Sequence, residues 1–283
     1  MTSLTVAALQ LTLNSPDEAP NIAAVEALVE NAAARGARIV LPPELFAGPY
    51  FCALEDEALF ALARPLDESP SVRSMRRLAN ALRVAIPTSF FERDGPHYYN
   101  SLAMIDEHGD VLGVYRKSHI PDGPGYEEKY YFRPGNSGFR VWDVAGTRIG
   151  VGICWDQWFP ESARIMALMG AELLFYPTAI GSEPYDPDFD TSRIWRRAML
   201  GHAASNCMPV ISANRIGTEH GQSFYGHSFI CDQWGDFLAE FGRQESGALV
   251  ATLDLVAAAR HRAGMGFFRD RRPEHYRRLA EDI

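Results

Sequence analysis

Short apolar runs alternate with segments of helical apolar spacing along the whole of this 283-residue chain, and that alternation restricts the fold more than any other feature. Residues 5–9, 38–41, 84–91, 98–105, 111–115, 148–153, 172–176, 209–213, 224–231, 237–241 and 249–253 read as strands. Residues 21–34, 71–82 and 192–205 carry apolar side chains at helical spacing, and a further helix is expected from Pro160, a residue suited to a first helical turn. The turn Glu107-His108-Gly109-Asp110 makes a hairpin of the strands on either side of it. No linker, repeat or low-complexity stretch interrupts the pattern, so one α/β domain over residues 1–283 is the economical reading. Two long loops stand out, 118–138 and 181–190, because loops of that length inside a compact domain are often functional.

Composition removes several classes of function. A formal net charge of −9 offers no electrostatic footprint for nucleic acid. No apolar run approaches the roughly 18 residues that cross a bilayer, and residues 1–10 lack a signal-peptide pattern. Cys52, Cys154, Cys207 and Cys231 are widely spaced, which argues against both a zinc site and a disulfide framework, and a reducing cytoplasm is the expected setting.

Three residues could carry chemistry. Cys154 stands where an apolar strand gives way to polar residues, the usual place for reactive groups in α/β folds. The competing reading is a buried structural cysteine. A cysteine nucleophile needs a base and a donor for the developing oxyanion. Glu44 follows an apolar strand and two prolines, where desolvation would raise a carboxyl group toward the range useful for proton transfer. Lys117 follows the strand that ends at Tyr115, and an ammonium near a thiol favours the thiolate. His119, His202 and His227 are alternative partners for the cysteine, and nothing in their spacing selects one. No nucleophile elbow built on serine, Walker A loop, zinc-binding His-Glu-x-x-His or completed dinucleotide fingerprint is present.

Taken together, Pro43-Glu44-Leu45-Phe46, Tyr115-Arg116-Lys117-Ser118-His119-Ile120-Pro121 and Gly152-Ile153-Cys154-Trp155-Asp156 resemble, in that order, the Glu, Lys and Cys motifs of the nitrilase superfamily. The likeness spans essentially the whole chain. Segments 118–126, 154–161, 176–184, 214–220 and 268–273 are most similar to the members that cleave the ureido C–N bond of N-carbamoylputrescine, a step of polyamine biosynthesis from agmatine.

The resemblance implies a four-layer α-β-β-α sandwich and a homo-oligomer built from dimers. It implies Cys154 as nucleophile, Glu44 as base, and Lys117 with the Trp155 N–H as oxyanion donors. A second glutamate falls at Glu128, selected over Glu127 by the Glu-Lys step. No metal or organic cofactor is implied, and the partner is a small carbamoylated amine. The distal ammonium of such a substrate needs a carboxylate or an aromatic face, for which Glu183 and Tyr50 are the candidates. Residues 267–283 form a basic, aromatic C-terminal arm suited to an interface. The alternatives are a related amidase acting on N-carbamoyl-β-alanine, N-carbamoyl amino acids or ω-amides, and a non-catalytic binding module on the same fold.

Overall fold

The structure, a computed structural model, describes residues 3–186 and 188–281, so Asp282 and Ile283 at the end of the expected arm lie outside it. Its elements in chain order are β1 (Ser3–Gln10), α1 (Glu18–Ala34), β2 (Ile39–Leu41), α2 (Pro70–Leu82), β3 (Ile86–Asp94), β4 (His97–Ile105) and β5 (Val111–Arg116). Then come α3 (Glu128–Tyr131), β6 (Val141–Val144), β7 (Thr147–Val151), α4 (Pro160–Leu168), β8 (Leu173–Pro177), α5 (Ser192–Asn206) and β9 (Val210–Ala213). The chain continues through β10 (Ile216–Glu219), β11 (Gln222–Tyr225), β12 (Phe229–Cys231), β13 (Phe237–Glu240), β14 (Gly247–Asp254) and α6 (Leu255–Met265).

One sheet runs in the order β14-β1-β2 and continues, through the Ile39–Ala85 bridge, into β3-β4-β5. A second has the order β13-β12-β9-β8-β7-β6, with β7, β8 and β9 parallel. The period-2 geometry of a strand sends alternate side chains to opposite faces, and this divides the core into layers. Val6 and Ala8 of β1, Ile39 and Leu41 of β2, and Leu102 and Met104 of β4 meet Leu173 and Phe175 of β8 and Ile211 of β9 between the sheets. Their neighbours Ala7, Leu9, Val40, Ala103 and Ile105 face outward and are covered by Val25 and Val29 of α1 and Val72, Met75 and Leu78 of α2. On the far side Leu174, Tyr176, Val210 and Phe229 are covered by Met166 of α4 and Trp195 and Met199 of α5. Helix, sheet, sheet and helix therefore stack as an α-β-β-α sandwich. Each of the larger side chains contributes about 1.5–3 kcal/mol by leaving water.

Local signals set the helix ends. Ser69 caps α2, its Oγ accepting the Val72 N–H at 3.4 Å, Pro70 opens the first turn, and Arg83 ends it with a left-handed φ of +57°.

The structure departs from the sequence expectation in several places. Residues 224–231, expected as one strand, form β11 and β12 in different sheets. Gly226 and His227 between them have φ values of +62° and +59°, which no pleated strand tolerates. The loop 118–138 contains the single turn α3. A 3₁₀ turn, Cys154–Trp158, precedes the helix at Pro160. Strands β6 and β10 and helix α6 stand where the sequence reading has none. The Asp254 carboxylate caps α6 by accepting the Ala257 N–H at 2.8 Å. Among the described residues, no helix is long and apolar enough to cross a membrane.

Candidate active site

Lys117 is the residue after β5. Its N–H still pairs with Asn100 O at 2.9 Å, so β4 fixes where the side chain starts. Gly135 lies against this strand end, donating its N–H to Lys117 O at 2.8 Å. A Cβ on Gly135 would stand 2.1 Å from Arg116 O and 2.8 Å from Lys117 O. Gly135→Ala must therefore push the Lys117 backbone aside. The expected cost is about 1–3 kcal/mol of stability, read by thermal unfolding. Initial rates should fall more steeply, since a shift of about 1 Å at a catalytic group can lose about 10²-fold.

Glu44 leaves β2 through Pro42 and Pro43, and its N–H is held by Thr178 O at 3.4 Å. Leu45 then turns sharply, with φ +48° and its N–H bonded to Ser89 Oγ at 3.0 Å. Cys154 follows β7 and opens the 3₁₀ turn with φ +40°, a left-handed conformation that costs a cysteine about 1–2 kcal/mol. Asp156 holds this elbow in place. Its Oδ2 accepts the Ile153 N–H at 3.0 Å and the Tyr115 hydroxyl at 2.7 Å. Its Oδ1 accepts the His119 N–H at 3.0 Å and lies 2.7 Å from His119 Nδ1. One buried carboxylate thus ties the Cys154 elbow to the segment that carries Lys117.

The charged groups converge. Lys117 Nζ donates to Glu44 Oε1 at 2.8 Å and to Glu128 Oε1 and Oε2 at 2.9 and 2.7 Å, with all three side chains fully buried. Asn100 Nδ2 donates to Glu44 Oε1 at 2.7 Å and reaches Glu128 Oε2 at 3.5 Å. The Tyr50 hydroxyl donates to Glu128 Oε1 at 2.7 Å. Glu128 is therefore engaged on both oxygens, whereas Glu44 Oε2 is buried with no partner among the described residues. A buried carboxylate oxygen with free lone pairs is what a general base requires.

Burial pushes the Cys154 thiol well above its usual value. Glu44 and Glu128 add to this, while Lys117 opposes it. Burial works against charge on Lys117, but Glu128 and Glu44 outweigh it and hold the ammonium well above its ordinary range. Glu128 is raised by burial, with Lys117 pulling the other way. The resting site is thus a neutral thiol near a fixed ammonium, and a thiol in that state can act as a nucleophile only by giving up its proton.

Cys154, Trp155 and Glu183 line one cavity of about 370 Å³, together with Asp122, Tyr126 and Tyr185. Its lining contains acidic side chains and, among the described residues, no Lys, Arg or His. Tyr50, expected on the substrate side, is fully buried and does not line this cavity. Its ring packs edge-on against Phe224 at 5.5 Å, and its hydroxyl is committed to Glu128, so it stands behind the charged cluster. Glu127 is partly exposed, which leaves Glu128 as the glutamate that meets Lys117.

None of the three histidines pairs with Cys154. His119 bonds Asp156 and stacks on Phe159, and His202 Nε2 lies 2.7 Å from Gln157 O. His227 sits in the bend between β11 and β12. Cys154 Sγ has Ala179 O as its hydrogen-bond partner, at 3.9 Å. Among the described residues no group of three or more His, Cys, Asp or Glu side chains is placed to hold a metal.

Sequence reasoning missed Asn100, Asp156, Arg215 and Glu219. For Asn100 a signal existed: Asn100 and Ser101 are polar residues within the expected strand 98–105, and buried polar side chains need partners.

The carbon-nitrogen hydrolase family model matches residues 5–263. A citrullinase of Francisella tularensis is 52% identical over 98% of this chain and 98% of that protein. An N-carbamoylputrescine amidase of Solanum lycopersicum is 52% identical over 98% of this chain and 94% of that protein. The crystal structure of a carbon-nitrogen hydrolase from Helicobacter pylori superposes with a TM-score of 0.93 at 35% identity, covering 99% of both chains. With a sandwich of this build, a matched family model over most of its length and amidases at half identity across nearly all of it, the chain belongs to the carbon-nitrogen hydrolases of the nitrilase superfamily.

Proposed function

We propose that this amidase cleaves the ureido C–N bond of N-carbamoylputrescine, giving putrescine, CO2 and ammonia. The carrying observation is the cavity above Cys154, whose charged lining residues are Asp122 and Glu183 and which presents no cation. A substrate with a ureido group at one end and an ammonium at the other matches that polarity.

The ureido carbonyl is a weak electrophile because two nitrogens donate into it, so charge stabilisation matters more than nucleophilicity alone. Glu44 Oε2 takes the Cys154 proton as sulfur attacks, and Lys117 Nζ and the Trp155 N–H receive the oxyanion. Lys117 shares its contact with Glu128 between two oxygens, so one N–H can turn to the substrate while Glu128 keeps the ammonium charged. Glu44 then returns the proton to the leaving nitrogen, and ammonia departs. The alkylcarbamoyl group left on sulfur is hydrolysed by water, which gives its proton to Glu44. Sulfur leaves and recovers that proton, and the released carbamic acid, which keeps the water's other proton, decomposes to amine and CO2. The same reading takes the chain as one catalytic domain. It also takes the arm from residue 267, which exposes Phe267, Tyr276 and Leu279, as a self-association surface.

A second reading is citrulline as substrate, favoured by the citrullinase at 52% identity. Its α-carboxylate would have to enter a cavity lined by two carboxylates. A substrate panel separates the two: kcat/KM for N-carbamoylputrescine should exceed that for citrulline, and the reverse order would transfer the assignment.

Glu183→Gln should lower kcat/KM for the cationic substrate by about tenfold relative to a neutral alkylurea, equivalent to about 1.4 kcal/mol. An unchanged ratio would remove Glu183 from amine recognition. Burial raises the Glu183 carboxyl above its ordinary value. As pH falls through that raised range the carboxylate is protonated and its attraction for the ammonium is lost, so KM for the cation should climb on acidification. In Glu183→Gln this climb should disappear.

A further inference from the structure

Arg215 and Glu219 form an ion pair whose side chains are 0% and 1% exposed, and the chemistry above does not use it. Burying such a pair is costly, the more so because Arg215 Nε and Glu219 Oε1 have no hydrogen-bond partner among the described residues. Here the guanidinium spans a stretch of backbone. Nη2 donates to Glu44 O at 2.7 Å and Leu45 O at 3.0 Å, and Nη1 donates to Gly48 O at 3.2 Å and Glu219 Oε2 at 2.7 Å. The same Glu219 oxygen accepts the Tyr50 N–H at 2.5 Å. The pair therefore grips residues 44–50, which carry Glu44 at one end and Tyr50, the partner of Glu128, at the other. It grips them around the left-handed turn at Leu45, where the backbone would otherwise relax.

Glu219 ends β10, and the returning strand β11 reaches a second part of the site. Gln222 is 1% exposed, and its Nε2 donates to Ser182 O at 2.5 Å and to the Tyr126 hydroxyl at 2.7 Å. The Ser182 N–H donates to Ser223 O at 2.7 Å, and the Gly181 N–H to the Tyr126 hydroxyl at 2.9 Å. Glu183 is the next residue along. The two-stranded hairpin, with Arg215 immediately before it, therefore holds the backbone of the carboxylate near the thiol and the backbone of the carboxylate at the mouth of the cavity.

We propose that Arg215 with the β10–β11 hairpin is a brace that sets the distance between the reacting carbonyl and the amine-recognition group. Arg215 and Glu219 are positioning residues for Glu44 and Tyr50, and Gln222 is the positioning residue for Glu183. The inference rests on the roles proposed above for Glu44 and Glu183. Its two halves separate kinetically, because the first acts on the chemical step and the second on recognition of the cation.

The test uses the full-length protein in three variants, each checked for cooperative thermal unfolding. In Arg215→Lys, a single ammonium replaces the fork and cannot reach all three carbonyls. This variant should lose tenfold or more in kcat for N-carbamoylputrescine, with KM within about twofold. Alkylation of Cys154 by iodoacetamide, located by peptide mass spectrometry, reads the base without any substrate. At neutral pH it should slow about tenfold and take on the rising pH profile of an unassisted thiol. A merely structural role would lower the unfolding temperature and leave that profile in place. If Arg215→Lys does not fold, Glu219→Gln takes its place with the same readouts. Wild-type kcat and an unchanged alkylation profile in the folded variant overturn the first half of the proposal.

Gln222→Met should raise KM for N-carbamoylputrescine about tenfold while kinetics on butylurea stay within about twofold. Equal changes on both substrates overturn the second half. Absence of turnover of N-carbamoylputrescine by the wild type would sink the functional reading and the Gln222 arm with it. The alkylation profile would still decide the Arg215 arm.

Discussion

Cys154→Ala is expected to reduce turnover of N-carbamoylputrescine by at least about 10⁴-fold, in line with removal of a nucleophile that works as a unit with its base. The fold should survive. Cys154 is almost fully buried between the sheets, and deleting one sulfur from such a site costs on the order of 1 kcal/mol or slightly more. Its φ of +40° strains alanine about as much as cysteine, so the elbow gains no reason to rearrange. Lys117, Glu44 and Glu128 keep their mutual bonds, because none of those bonds passes through the sulfur. The variant should still bind the intact ureido substrate, measurable by calorimetry, and release no ammonia from it. A folded Cys154→Ala protein with a rate within about a hundredfold of wild type would remove the thiol from the mechanism.

The parts of this picture that the sequence carried are those with local causes. Short apolar runs along β1, β4 and β8 specify strands buried on both faces, and the helical spacing of α1, α2 and α5 supplies the covers. Ser69-Pro70 and Pro160 mark helix starts because capping and proline geometry act within one turn. Glu44, Lys117 and Cys154 were individually weak, and only their order and strand-end positions made the set legible. What stayed hidden depends on contacts between distant positions. Tyr50 bonds a residue 78 positions away, and Arg215 bonds carbonyls about 170 positions away, so no local pattern announces either. Tyr50 is a candidate for the substrate's ammonium because an aromatic face can bind a cation, yet its ring is fully buried and its hydroxyl is committed to Glu128. The break at Gly226 and His227 was missed because histidine at positive φ is uncommon, and the apolar residues on both sides continue the strand pattern.

Lys117→Met should separate the two things the ammonium does, because acidification relieves only one of them. Removing it leaves Glu44 and Glu128 fully buried with no counter-charge. Leaving buried charges unpaired costs about 3–5 kcal/mol of stability at neutral pH, to be read by denaturant unfolding. In the wild type Lys117 counteracts the upward push of burial on Glu128, so without it that carboxyl must rise further. A folded-state pKa above the unfolded value stabilises fully below the ordinary carboxylate range and loses that effect as pH rises through the raised value. The deficit of Lys117→Met should therefore shrink on acidification and grow toward neutral pH. The rate should not follow it: loss of the proposed oxyanion donor removes about 10²–10³-fold, and neutralising Glu128 on acidification restores none of that. Lys117→Met with Glu128→Gln restores a single buried negative charge, so it should recover part of the stability and none of the rate. Recovery of turnover in that double variant would mean that Lys117 serves only to balance charge, and the oxyanion would need another donor.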